Sequence, residues 1–183
     1  RGGGMGFEQP QSLTSPTGAA LCYYRQPAEG EVRGVVQIVH GLAEHASRYD
    51  RFAAFLASRG FHVYAHDHRG HGHTRAPDAP IGIFAAKGGA DRVVADVAAM
   101  RNLVGREQPG LPVILFGHSM GGLIVLGCMQ GFPKHVTAAA IWNAPLPGAL
   151  LNRLSIAALA WERFRHGSDV TSRLMRRFTF EAW

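Results

Sequence analysis

Cysteine is scarce in this chain: 183 residues hold only Cys22 and Cys128, far apart and outside any metal-type spacing. That excludes a disulfide-stapled scaffold and points to a reducing compartment, with both thiols serving as small apolar fillers. Long apolar runs are missing as well. No window approaches the roughly 18 residues that mark a membrane-spanning helix, and the opening Arg1–Gly6 lacks the apolar stretch of a secretory signal. With Met5 a few residues behind Arg1, the natural start is expected at Met5. Lys and Arg outnumber Asp and Glu by 19 to 13, but the arginines are scattered and no basic patch is interleaved with aromatics, so no nucleic-acid partner is expected. The densest basic stretch, Arg163, Arg165, Arg173, Arg176 and Arg177, suits either anionic headgroups or a solvated helix face. What remains, 46% apolar and 17% charged residues, is the composition of one globular domain with a sizeable core.

Periodicity divides the chain into alternating elements. Phe7 to Leu13 and Ala20 to Arg25 read as an antiparallel hairpin around Ser15-Pro16-Thr17-Gly18. Val35 to Val39 is nearly continuous and β-branched, as a strand buried on both faces requires. Tyr49, Phe52, Phe55 and Leu56 recur at helical spacing up to Gly60, a C-terminal cap, and Phe61 to Ala65 is the next strand. A glycine- and proline-rich loop fills 69–89. Val93, Val97, Met100 and Val104 then mark a helix over 91–104. A strand over 113–116, a helix to about Gln130 and a strand over 137–142 complete the pattern. This alternation predicts an α/β fold: a parallel sheet with right-handed crossovers, helices on both faces and an antiparallel hairpin at the start. Ligands of such sheets lie beyond the strand C-termini, where His40, Asp67, Ser119 and Asn143 all fall.

The densest chemical signal is Gly117-His118-Ser119-Met120-Gly121, because it joins a short apolar strand to a helix-compatible run. A strand that turns sharply into a helix forces Ser119 into a cramped backbone conformation and admits only glycine at 117 and 121. The hydroxyl is then lifted above the sheet edge, and the helix starting near Met120 aims free N–H groups at the point where an oxyanion would form. His118 leaves the turn in another direction and is not the general base. A second oxyanion donor is assigned to the Leu42 N–H in the loop His40-Gly41-Leu42-Ala43-Glu44-His45, where Gly41 keeps the approach open. His40 and His45 are assigned to loop support through side-chain hydrogen bonds.

Residues 66–73, His-Asp-His-Arg-Gly-His-Gly-His, raise the alternative of a zinc site. Side chains at a strand end alternate in direction, Gly70 and Gly72 tighten the loop, and no second cluster supplies further ligands, so no metal is expected. Asp67 and Arg69 are expected to pin the loop beneath the site.

His40 to His45 with Arg48 and Tyr49, Asp67 to Gly72, and Gly117 to Gly122 together resemble the α/β-hydrolases of the monoacylglycerol lipase and lysophospholipase type, the serine aminopeptidase-like group. The resemblance covers nearly the whole chain and implies an α/β-hydrolase fold with Ser119 as nucleophile, Leu42 and Met120 as oxyanion hole, and no cofactor. One departure is Thr74, where the family usually has serine. The family also implies a catalytic Asp and then a His after a helical lid. Here His135 and His166 are the only histidines after Ser119 and Asp169 the only aspartate, and none is placed to serve. The chain is therefore expected to be the N-terminal part of a longer hydrolase, with 1–145 as core and 146–183, rich in Leu and Ala, as the start of the lid. Its triad acid and base are expected beyond Trp183, the segment alone is expected to be inert, and its outermost strand, 137–142, is expected to be an uncovered edge. The expected substrate is a small ester or lipid, and the expected location is cytoplasmic with peripheral membrane contact through the lid. The competing expectation is a non-catalytic binding module on the same scaffold.

Overall fold

A computed structural model of the chain describes residues 6–132 and 136–144, together with positions 153, 157, 160, 161, 164 and 165. The chain divides into two compact units, Arg1–Ala144 and Pro145–Trp183.

In the first unit six strands form one sheet: β1 (Gln11–Thr14), β2 (Ala20–Gln26), β3 (Gly34–Val39), β4 (Phe61–His66), β5 (Val113–His118) and β6 (Ala138–Trp142). Their order is β1-β2-β4-β3-β5-β6. β4, β3, β5 and β6 run parallel, and β2 joins β4 antiparallel, so the expected mixed sheet is present. Three helices cross between the parallel strands: α1 (Asp50–Ala57), α2 (Gly89–Glu107) and α3 (Met120–Gly131). β3 is buried at every position, as its unbroken apolar run predicts.

The chain steps outward from β3 to β4, then returns across β3 to β5 and continues to β6. That reversal puts α1 on one face and α2 with α3 on the other. Val36, Ile38, Ala53, Val63 and Ala65 form the α1-side core, whereas Val39, Val93, Val97, Leu115 and Val125 form the core under α2 and α3. The crevice between β3 and β5, at the reversal, is where parallel sheets bind ligands.

Two boundaries differ from the sequence expectation. The first strand begins at Gln11 rather than Phe7, because Pro10 has no N–H for the ladder; Phe7 instead donates its N–H to Asp50 and packs its ring against Tyr24. The first helix starts at Asp50, behind a single 3-10 turn over Ala46–Tyr49. Gly60 has φ 85, the left-handed conformation expected of a helix-terminating glycine. β6 is exposed along its whole length and forms the outer edge among the described strands.

In the second unit all six described positions are helical and exposed. The Arg165 guanidinium lies 6.0 Å over the Trp161 ring. Among the described residues no helix is long and apolar enough to cross a membrane.

Candidate active site

Ser119 sits between the last residue of β5 and the first of α3 with φ 54 and ψ −120. Residues with side chains rarely adopt such a backbone, and it persists only when the surroundings dictate it. Two hydrogen bonds brace it: the Ser119 N–H donates to the Trp142 carbonyl, and the Gly122 N–H donates to the Ser119 carbonyl, both at 2.9 Å. Space, rather than conformation, selects glycine on either side. A Cβ on Gly117 would stand 2.6 Å from the Gly121 carbonyl oxygen, and one on Gly121 would stand 2.0 Å from that of Val39. Both obstacles are main chain that cannot swing aside.

The loop after β3 passes directly against the serine, since a Cβ on Gly41 would lie 3.4 Å from that of Ser119. Its backbone is held by polar side chains. Glu44 Oε1 accepts the Gly41 N–H at 2.5 Å, the Tyr49 hydroxyl at 2.7 Å and the His118 Nδ1–H at 3.0 Å. Burial opposes ionisation of Glu44, but the bonds from Tyr49, His118 and Gly41 outweigh it and hold the carboxyl below the usual range. His40 donates from Nδ1 to the Gly41 carbonyl at 2.7 Å and accepts the His68 N–H on Nε2 at 3.0 Å. Those partners fix one neutral tautomer, and burial lowers the pKa of the ring to about 4. His45 is exposed and meets only the neighbouring Ser47 hydroxyl.

Beneath this loop lies the 66–74 segment. Asp67 is fully buried and accepts the Ala46 N–H on one oxygen and the His73 N–H on the other, each at 2.8 Å. Arg69, also fully buried, reaches Asp78 at 2.7 Å and Asp96 at 3.4 Å. Thr74 donates its hydroxyl to the Asp67 carbonyl at 2.6 Å and accepts the Cys22 N–H at 2.9 Å, so threonine supplies the donor and acceptor that a serine hydroxyl would.

The histidine rings here pack against one another rather than converge: His40 and His68 lie tilted with centres 4.0 Å apart, and His66 meets His68 edge-on at 5.1 Å. Among the described residues no three His, Cys, Asp or Glu side chains are grouped to hold a metal ion. His66 is fully buried with neither ring nitrogen paired, and burial drives its pKa to about 3.

A cavity of about 450 Å³ is lined by Glu44, Arg48, Tyr49, Phe52 and Phe116, with His118, which precedes Ser119, and Trp142, whose carbonyl accepts the Ser119 N–H; Ser119 itself is outside the lining. One part is polar and the other aromatic. Apolar spacing explains Phe52 and Phe116 as core residues, but nothing in the sequence pattern assigned Glu44 or His118 a place in the site. Their pairing spans 74 positions. Of the late candidates, His135, His166, Asp169 and the basic residues other than Arg165 lie outside the described residues.

Residues 30–178 match the family described as serine aminopeptidase, S33. The chain belongs to this family. The chain is 30% identical to the monoglyceride lipase of Rattus norvegicus over 162 residues, covering 76% of this chain and 51% of that one. It is 33% identical to the monoacylglycerol lipase of Mycolicibacterium smegmatis over 127 residues, covering 69% and 43%. A thermostable carboxyl esterase from Bacillus coagulans, solved with glycerol, superposes with a TM-score of 0.75 at 27% identity, covering 94% of this chain and 55% of the esterase. The chain thus spans about half of these relatives. The α/β-hydrolase fold, incomplete relative to them, is as the motifs implied.

Proposed function

We propose that this chain carries the nucleophilic half of a serine hydrolase acting on carboxylic esters, of the monoacylglycerol or lysophospholipid type. The observation that carries the proposal is the Ser119 backbone, φ 54 at the start of α3, in a chain whose family includes lipases and an esterase-like fold. The Ser119 hydroxyl attacks the ester carbonyl, the electron pair moves onto the carbonyl oxygen, and the resulting oxyanion meets the N–H groups of Met120 and Leu42. Collapse expels the alcohol, which takes up a proton, and leaves an acyl group on Ser119. Water then attacks the acyl carbon, releasing the carboxylic acid and regenerating the hydroxyl. The cavity offers Glu44, Arg48 and His118 to a polar head and Phe52, Phe116 and Trp142 to carbon.

Among the described residues no imidazole is hydrogen-bonded to the Ser119 hydroxyl. We assign the proton acceptor and its carboxylate partner to the part of the relatives' length that residues 1–183 do not span, the segment from 146 to the start of a lid that contacts lipid, and the location to the cytoplasm or a membrane surface. Residues 1–183 alone then keep only the slight catalysis that oxyanion contacts and binding provide.

A fluorophosphonate probe tests the assignment: it labels the full-length protein, and the label is lost in Ser119→Ala. Labelling that persists in that variant rejects Ser119 as nucleophile, whereas a full-length wild-type protein that takes no label leaves the scaffold as a binding module.

A further inference from the structure

The histidines in the run from His66 to His73 are a sequence signal that the proposed reaction leaves unused. His71 within it points back at the oxyanion loop. Its Nε2 lies 2.7 Å from the Leu42 carbonyl oxygen, 29 positions away in sequence, and its Nδ1 lies 3.1 Å from the Arg69 carbonyl oxygen. The ring also packs against Phe84 at 5.7 Å and His40 at 5.5 Å.

His40 donates to the Gly41 carbonyl, which belongs to the same planar peptide unit as the Leu42 N–H. Fixing one end of a trans peptide fixes the other, so the N–H must point away from the His40 ring. The next peptide unit, carrying the Leu42 carbonyl, is the one His71 grips. Two imidazoles therefore hold two consecutive units, and with both held the backbone torsions at Leu42 have no freedom to turn the N–H aside. His71 is steadied in turn. A Cβ on Gly70 would stand 2.2 Å from the Ile83 carbonyl oxygen, and one on Gly72 2.2 Å from Asp67 Oδ2, so the turn bearing His71 is wedged between the loop at 80–83 and a buried carboxylate.

We infer that His71 is a positioning residue for ester hydrolysis, clamping the Leu42 carbonyl so that the Leu42 N–H stays aimed at the oxyanion. This rests on the proposed acyl transfer at Ser119. An N–H displaced by about an ångström loses much of its effect on a developing charge, on the order of ten- to a hundredfold in rate.

The test uses the full-length protein with a p-nitrophenyl ester, reading kcat, KM, Tm and amide exchange at Leu42 and Ala43. His71→Ala is expected to lower kcat by about ten- to a hundredfold with KM within about threefold, and to speed exchange at both amides. His71→Gln, whose amide nitrogen takes the place of Nε2, is expected to restore most of kcat, whereas His71→Asn, whose nitrogen falls short of Leu42, is not. His73→Ala, with an exposed side chain, is the unaffected control. If His71→Ala fails to fold, the Gln and Asn pair decides. Wild-type kcat in His71→Ala while Ser119→Ala is dead overturns the clamp alone, as does a His71→Gln as impaired as His71→Asn. Hydrolysis that survives Ser119→Ala rejects the acyl-transfer reading instead, and exchange at Leu42 and Ala43 unchanged in His71→Ala then rejects the clamp separately.

Discussion

The two amides proposed to receive the oxyanion at Ser119 are held by unlike means. Met120 begins a helix whose approach to β3 and β5 leaves no room for a Cβ at 117 or 121, so its N–H is placed by steric exclusion. Leu42 lies in an irregular loop with an exposed side chain, and the backbone around it is placed by hydrogen bonds from Glu44, His40 and His71. Exclusion is insensitive to pH and hard to relax. A polar scaffold depends on protonation states and on every partner staying paired.

The sharpest break in that contrast is Gly121→Ala. Its methyl group would meet main-chain oxygens of Val39 and His40, and since neither strand nor helix can retreat, a loss of about 3 kcal/mol or more is expected, seen as a large fall in Tm or in soluble yield. Gly41→Ala, by comparison, meets chiefly the carboxylate end of Glu44, which can rotate, so it should fold while losing hydrolysis.

Acid should separate the two halves next. His40 and His66 are held neutral by burial, their pKa values lowered to about 4 and about 3, and burial also holds His68 well below the ordinary value. Below about pH 6.5 the unfolded chain binds protons that the folded chain refuses, so stability falls as pH drops from about 6.5 toward 4 for His40 and toward 3 for His66. The slope contributed by each ring approaches about 1.4 kcal/mol per pH unit. Denaturant midpoints measured across that range check the sign, and amide protection, corrected for the intrinsic pH dependence of exchange, should fall at Leu42 before it does at Met120.

Glu44→Gln is expected to act more gently. The amide keeps an oxygen but loses the negative charge that lets one oxygen hold three donors, so about 1 kcal/mol of stability and about tenfold in kcat should be lost, read by denaturation and ester turnover. Thr74→Ser should change stability by less than about 1 kcal/mol, because the hydroxyl that bridges Asp67 and Cys22 is retained.

The same contrast explains what the sequence disclosed. The elbow was legible because Gly117, Ser119 and Gly121 fall within five consecutive positions, although the oxygens that exclude a Cβ at Gly121 belong to Val39 and His40; the β-branched run at 35–39 likewise announced the central strand. Two of the hydrogen bonds that hold the Leu42 loop are local, but those that tie it to the rest of the fold span 28, 29 and 74 positions between partners, and no periodicity links residues so distant. Tyr49 illustrates the limit: helical spacing placed it on an apolar stripe, whereas its hydroxyl belongs to the Glu44 network. Boundaries failed where a single residue vetoed a pattern, as Pro10 did for the first strand.

One bond carries a consequence for the whole unit. The amide of Ser119 is tied to the carbonyl of Trp142, the last residue of β6, an edge strand of the sheet among the described residues. The rim of the sheet therefore anchors the hydroxyl proposed as nucleophile: whatever frays, sheathes or extends that rim is felt at the serine before it is felt in the deep core.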